Sequence, residues 1–528
     1  MTRRSASCPG CGATLDFLSA ATVTVVCPHC GGGSYRTDIG LEAFGKTAEV
    51  VPIATPLEIG LTGRYEGRGW TAIGFAQLDH GAGPWNEWVL EFDDGEIGWY
   101  AEAQGQSWFT KRVEVVTVPA FDSLVLEQDL PIEGHVRLRV IEKGHGTVVT
   151  FRGESPARVI PGSRFAYADL EGMDDTVPQS SKAGARGNAG ETVGTIDYGT
   201  GPASDGPTLY VGRRVEARDF GLDPEKAPPV EVKARALRLS CPSCGGVVDR
   251  LDPASVRVVC SSCGMILQGD DVKVKAIGLG AALKARPALA LGSIGPLRGA
   301  KAQIIAFLIR SVFADGRRYP WREYLLRTTD GAYRWLVESD GHWTLVDPVR
   351  ESVNPSSVGT FHGHAFRHFQ GGKARVDHVQ GEVYWRVEVG ETVRVDDYVD
   401  PPYILSVERS ENERAVSLGS YVPMEELIAA FPEASNLRKP FGVGPCQPNS
   451  CRGQTGKFWM VGVGFAVAMI VLMNVISGSK GGDAAGYAFP AIPLLILLLV
   501  PAIVVQTRAS TFEVARWRDS DHPIGGED

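Results

Sequence analysis

Eight cysteines in this chain are spaced for metal chemistry. Cys8 and Cys11 are followed by Cys27 and Cys30, and Cys241 and Cys244 by Cys260 and Cys263, so one CxxC…CxxC pattern occurs twice, 233 residues apart. In both copies 15 residues separate the pairs, the loop a four-thiolate ribbon needs to fold back and close a tetrahedron around zinc. Glycine follows the second cysteine of every pair, at Gly12, Gly31, Gly245 and Gly264; a tight turn there aims N–H groups at sulfur and stabilises the thiolate. Two structural zinc sites are expected, with rubredoxin-like iron and disulfides as the competing chemistries.

A second chemical pattern emerges when the chain is aligned on those cysteines. The run from Pro84 through Trp85, Glu87, Trp88 and Leu90 recurs as Pro320, Trp321, Glu323, Tyr324 and Leu326, and the Asp94-Gly95 dipeptide recurs as Asp330-Gly331. Alternating residues around an Asp-Gly dipeptide predict a hairpin. With a two-residue turn at Asp94-Gly95, Glu87 faces Glu102, and in the second copy Glu323 faces Glu338. Like charges opposed on a sheet are unfavourable unless something compensates. The candidates are an arginine, a shared proton for acid–base work, or a bound cation such as a polyamine. Glu87, Glu102, Glu323 and Glu338 are thus weak catalytic candidates, and a binding role is favoured over an enzyme.

The repeated Trp-x-Glu-Trp/Tyr element, the Gly-Trp-x-x-Glu run ending at Glu102, the Gly153-Glu154 and Gly381-Glu382 pairs and the closing Leu418-Gly419-Ser420-Tyr421-Val422 resemble the bacterial domain of unknown function 4178 family. The resemblance implies no assigned reaction. Tyr324 stands where the first copy has Trp88, which points to packing at that position.

The elements that must hold these groups are mostly strands. The expected architecture is mainly β: two zinc ribbons and two antiparallel β domains in tandem, plus two C-terminal transmembrane helices. The divisions are a ribbon at 1–50, a β domain at 57–217 with a mobile, glycine- and serine-rich insertion at 172–207, a second ribbon at 238–275, and a second β domain at 288–440. A linker at 441–457, a membrane hairpin at 458–505 and a cytoplasmic tail at 506–528 complete the chain. Segments 223–229 and 286–296 read as linkers.

Phe458 to Ile476 and Tyr487 to Val505 each run 19 residues without a charge, enough to cross about 30 Å of hydrocarbon. Arg452, Lys457, Arg508, Arg516 and Arg518 flank the spans against Lys480 between them, which places both termini and the large N-terminal region on the cytoplasmic face of the cell membrane. Phe512 to Arg518 reads as a segment lying along the headgroups. Gly464 and Ala468 offer a small-residue contact through which the hairpin could self-associate. A protein or a small cationic ligand is the expected partner. The net charge of -9 argues against a nucleic-acid coat, although Arg235, Arg238, Arg250 and Arg257 around the second ribbon keep nucleic-acid binding as a further alternative. Zinc thiolates suit a reducing compartment.

Three features occur once and carry less weight. Gly40 to Thr47 spells a phosphate-loop pattern without the strand and helix such a loop requires. His362, His364 and His368 form HxHxxxH, read as a polar surface loop rather than a metal site. Cys446 and Cys451 lie outside the ribbons and read as free thiols.

Overall fold

The computed structural model describes residues 5–37, 40–46, 55–81, 83–103, 105–114, 117–132, 137–173, 192–199, 206–223, 239–248, 255, 257–260, 262–269, 274–279, 285–314, 316–329, 331–349, 360–361, 363–434, 437–480, 484–518 and 520–521. In each repeat eight antiparallel strands close on themselves. The first set is β1 Arg68–Asp79, β2 Pro84–Phe92, β3 Ile97–Ala103, β4 Gln106–Val113, β5 Leu138–Ser155, β6 Arg164–Gly172, β7 Thr192–Asp197 and β8 Thr208–Val215. They are hydrogen-bonded in the order β1-β2-β3-β4-β8-β7-β6-β5, and β5 pairs back onto β1. The second set is β9 Ala300–Ala314, β10 Arg317–Thr328, β11 Tyr333–Ser339, β12 His342–Pro348, β13 Arg367–Val383, β14 Thr392–Asp400, β15 Tyr403–Arg409 and β16 Arg414–Val422. It closes in the same order, with β13 on β9. Closure removes the sheet edges and gives every strand an inner and an outer face.

Large apolar side chains dominate the outer faces, where the connecting segments cover them. Trp70, Trp88, Leu90, Tyr100 and Phe109 pack beneath Leu57 and Phe220 on the first barrel. Tyr324, Leu326, Leu336 and Trp343 pack beneath Leu289 and the short helix α1, Met424–Ala430, on the second. Trp88 and Tyr324 are therefore packing residues. Segment 286–296, expected as a linker, is part of this cover, since Leu289 and Leu291 join the core.

Each ribbon grows out of its barrel. Beyond Gly153, β5 leaves β1 and pairs with strand Thr24–Val26 through Glu154↔Val25. Gly153 has φ +74, and a Cβ there would lie 2.3 Å from the Ile73 carbonyl; only glycine makes this joint. Gly381 repeats it against Ile305 with φ +91. The neighbouring glutamates fasten the ribbons. Glu154 accepts the N–H groups of Leu18 and Ser19 at 2.6 and 3.1 Å and the Thr22 hydroxyl, and Glu382 accepts the Ser255 hydroxyl at 2.8 Å.

The expected insertion at 172–207 needs correcting. Strand β7 lies inside it, paired with β6 and β8. Its small and polar residues hid it, yet Ile196 is buried against Leu170 and Leu209 on the outer, covered face, and Val193 is buried on the opposite one. The extra length relative to the second repeat sits on either side of β7. Residues 174–191 and 200–205, like most of segment 223–229, are outside the described residues.

The chain ends in helices α2 Arg452–Lys480 and α3 Ala484–Trp517, antiparallel, with Asn449 bonded to Glu513 and Trp459 to Gln506. By length and composition Arg452–Leu472 could cross a membrane, with mean hydropathy 1.7. The second expected span falls on α3, largely where side chains are outside the described set. The end of α3 does not take the headgroup position expected for Phe512 to Arg518. Arg516 is buried, donating to the carbonyls of Pro445 and Gln447 at 2.6 Å each. Trp517 packs on Phe369 and Val399, with Arg367 4.3 Å above its ring. A basic-aromatic segment can satisfy itself on protein carbonyls and rings as well as on lipid. The helices are thereby fixed to the second barrel.

Candidate functional site

The cysteines gather as their spacing requires. In each ribbon the four sulfurs lie within 4.8 Å of one another. Metal–sulfur bonds of about 2.3 Å give a tetrahedron edge of about 3.8 Å. Cys8 and Cys30 sulfurs are 3.7 Å apart and Cys11 and Cys27 3.8 Å; Cys241 and Cys263, and Cys244 and Cys260, repeat these values. In both ribbons the N–H of the residue after the knuckle returns to the first cysteine's carbonyl, as in Gly12 to Cys8 and Gly245 to Cys241, each 2.8 Å. Among the described residues the donor set is closed, with no fifth metal-ligating side chain, which is the form of a structural metal site.

The glutamates are not opposed as expected. Phe92 N–H bonds the Glu96 carbonyl and Gly95 takes φ +83, so the turn holds three residues and a left-handed glycine. The register moves by one, Glu87 pairs with Ala101, and Glu102 pairs with Asn86. A one-residue shift sends neighbours to opposite faces. Glu102 lies on the outer face, bonded by Trp88 Nε1 at 3.2 Å and pushed up to about 7 by burial. The second copy is the same: Glu323 pairs with Val337, and Glu338 with Arg322, to which it is ion-paired.

Glu87 instead points into the first barrel, where it meets carboxylates that sequence reasoning missed. Burial raises it to about 7, assisted by Asp197 and opposed by a 2.9 Å bond from Trp85 Nε1. Asp197 lies on β7, diametrically across the ring from β2, so the two meet only through the interior. Asp169 on β6 is raised to about 6, by burial first and then by Glu87 and Glu413, against a bond from Thr195. Glu142 on β5 sits directly opposite Asp169 across the strand pair; burial and Asp169 raise it to about 7, and the Tyr167 hydroxyl donates to it. The rule that opposed carboxylates need compensation applies here, to Glu142 and Asp169 rather than to Glu87 and Glu102. Trp85, Trp99, Tyr167 and Tyr210 complete the lining, with Trp99 and Tyr210 rings 4.7 Å apart. Among the described residues no lysine or arginine pairs with Glu87, Glu142, Asp169 or Asp197.

The second barrel carries the same frame with its charge answered. Pairing registers equate Glu323 with Glu87, Asp397 with Asp169, Glu408 with Asp197, and Gln370 with Glu142. Trp321 bonds Glu323 at 2.6 Å and Ser406 bonds Asp397 at 2.6 Å, as Trp85 and Thr195 do in the first barrel. Arg310 stands where the first barrel has Leu78, each opposite the equivalent tryptophan. It donates to Glu408 at 2.8 Å and Glu323 at 3.3 Å and lies 5.7 Å from the Trp321 ring centre. Gln370 donates to Asp397 at 3.2 Å. The volumes differ in the same sense: Glu87 is flanked by Ala76 and Ala101, Glu323 by Leu308 and Val337. Glu323 and Arg310 are 8% and 9% exposed, whereas Glu87 is half-buried; Asp169 and Asp197 are half-buried, as are their counterparts Asp397 and Glu408.

The repeats meet beside the first barrel's acidic lining. Glu142 bridges to Glu413, and Lys143 N–H bonds the Asn412 carbonyl at 3.0 Å. Buried Arg414 reaches Glu127 and Glu171 across the same boundary.

Among the described residues the features that occur once form no site. Gly40–Lys46 is a strand paired with Gly32–Thr37, so its N–H groups do not cradle a phosphate. His364 bonds Asp400 and His368 lies 3.8 Å from Asp396, while His362 is outside the described residues. Arg257 is buried and donates to the Val387 carbonyl at 2.7 Å, so it is not offered to nucleic acid; Arg235, Arg238 and Arg250 are outside the described residues. Cys446 is buried beside Thr344, its thiol pushed up to about 11 by burial.

Fold and site together define a tandem-barrel protein in which each barrel is entered by a four-cysteine ribbon and the pair is followed by a helical hairpin. Residues 58–179 and 290–424 each match the family model described as a domain of unknown function, DUF4178, and the chain carries two tandem copies of that domain. No curated protein and no solved structure matches the chain. The paired Gly-Glu elements of the two copies are the ribbon joint described above.

Proposed function

We propose that the chain is a membrane-tethered binding protein, with the first barrel as its ligand compartment and the second as the support docked to the membrane hairpin. One observation carries the reading: the same eight-stranded frame sets Arg310, Leu308 and Val337 around its carboxylates in the second repeat and the uncharged or smaller Leu78, Ala76 and Ala101 in the first. Buried acidic groups need a partner or a proton, and among the described residues those inside the first barrel have no cationic side chain beside them. The two cysteine clusters hold zinc as structural clamps, since the closed four-sulfur set suits it and small lobes need such a staple. The hairpin crosses the cell membrane with both ends cytoplasmic, supported by the apolar surface of α2, where Met460, Phe465 and Ile470 are exposed, and by the flanking positive charges.

Native mass spectrometry of the full chain released from detergent tests the compartment. A small molecule that co-purifies with the wild type and is lost in Ala76→Phe, which fills the space beside Glu87, supports the reading. Identical spectra for the two proteins contradict it.

A further inference from the structure

Barrel two contains its own answer to the question of what fits barrel one. Arg310 is a side chain of the barrel wall, yet its guanidinium does what a ligand would do: it sits between Glu323 and Glu408 and against the Trp321 indole. Every one of those partners has a counterpart in barrel one, namely Glu87, Asp197 and Trp85. The cation alone is missing, because the position that would supply it is Leu78.

We propose that barrel one binds a small organic cation whose guanidinium or ammonium head takes the place that Arg310 fills in barrel two. This rests on the reading of barrel one as the ligand compartment and assigns the chemistry of what enters it. Three features favour this ligand class. Barrel one has one more carboxylate than barrel two, Glu142 standing where Gln370 stands, so the demand for positive charge is larger. Its wall is aromatic as well as acidic, and indole and phenol faces hold organic cations. Finally, among the described residues the only groups of three or more metal-ligating atoms within 4.8 Å of one another are the two cysteine clusters. The carboxylates are thus spread wider than a bare divalent ion bridges and suit a polyatomic head. Ala76 and Ala101 stand beside Glu87 where the bulkier Leu308 and Val337 stand beside Glu323.

The test is calorimetric titration of the full-length zinc-loaded protein in detergent with n-butylguanidinium, n-butylammonium and, as the uncharged isostere, n-butylurea. One equivalent of at least one cation is expected to bind, with n-butylurea at least tenfold weaker. Leu78→Arg should reduce cation affinity at least tenfold, because the barrel then carries its own guanidinium. Asp169→Asn, a smaller change, should weaken binding severalfold and guards against misfolding of the first variant, which unchanged zinc content and near-ultraviolet circular dichroism also check. Absence of binding by both cations, equal binding of n-butylurea, or unchanged affinity in a folded Leu78→Arg would overturn the proposal. If the cations fail while an anionic or neutral molecule co-purifies and is lost in Ala76→Phe, the compartment stands and the cation does not. If nothing co-purifies and no cation binds, both fall.

Discussion

The two barrels place the same carboxylates on the same strands and treat them differently. In the second, Arg310 and Gln370 meet the acidic groups, and Leu308 and Val337 close the space around them. In the first, Leu78, Glu142, Ala76 and Ala101 hold the corresponding positions. A buried carboxylate is costly unless paired or protonated, so the second interior answers Glu323 and Glu408 with its own cation and the first has none at that place. The lesson is that a repeat supplies its own control: what one copy provides internally identifies what the other lacks.

The largest effect expected from breaking this comparison is at the ribbons. Structural zinc contributes on the order of 10 kcal/mol to small metal domains, so chelation should unfold both ribbons. The consequences for the barrels should differ. Val259 and Ile266 of the second ribbon pack with Leu308 and Val379 of its barrel, whereas the first ribbon contributes Val26 to the cluster of Ala76, Leu78 and Phe151. Hydrogen exchange after chelation should therefore rise more in β9 and β10 than in β1 and β2; equal rises would remove this asymmetry.

Next in size is Arg310→Leu, which makes the second barrel resemble the first but without its space. Leaving Glu323 buried without its guanidinium should cost about 3–5 kcal/mol at neutral pH, read as a lower denaturation midpoint. A loss below about 1 kcal/mol would show that Arg310 is not the counter-charge.

A smaller effect is expected from pH. Glu87 is raised from 4.5 to about 7, so the folded state holds an extra proton between those values and stability falls as pH rises through that window. Glu142, Asp169 and Glu413 shift in the same direction, as do the hydroxyls of Tyr167 and Tyr210. Burial lowers nearby His80 below the usual imidazole range, and Arg112, which acts on Tyr210, is exposed. Glu87→Gln should gain about 1–2 kcal/mol at pH 7.5, after allowance for partial exposure, and flatten the profile between pH 5 and 7.5. The equivalent Glu323→Gln should lose stability, since it strips a partner from Arg310. Matching signs for the two variants would contradict the comparison.

The two four-cysteine clusters were legible in the sequence because four ligands at fixed spacing leave little freedom. The repeat and its strands were legible from the paired motifs, while closure into barrels was not, since it rests on pairing between distant strands such as β5 and β1. The site was half legible. The need of opposed like charges for compensation is legible, but Asp94-Gly95 spells a two-residue turn while Asp93 joins it in the fold, and that one residue sends Glu102 and Glu338 to the other face. Asp169, Asp197, Asp397 and Glu408 were missed because the changing offset between repeats hides their equivalence. Comparing Glu142-Asp169 with Gln370-Asp397 at the local offset of 228 residues was the signal available.

The central claim is that the first barrel's carboxylates lack a cation that the second barrel's possess. Leu78→Arg tests it most directly, through its stability relative to wild type measured by denaturation at pH 5 and pH 8 in the absence of added ligand. The account predicts that the variant is more stable by about 1–3 kcal/mol at pH 8, with the gain shrinking toward zero at pH 5 as the carboxyl groups take up protons. A variant destabilised to the same extent at both pH values would show that the first barrel has no charge to answer.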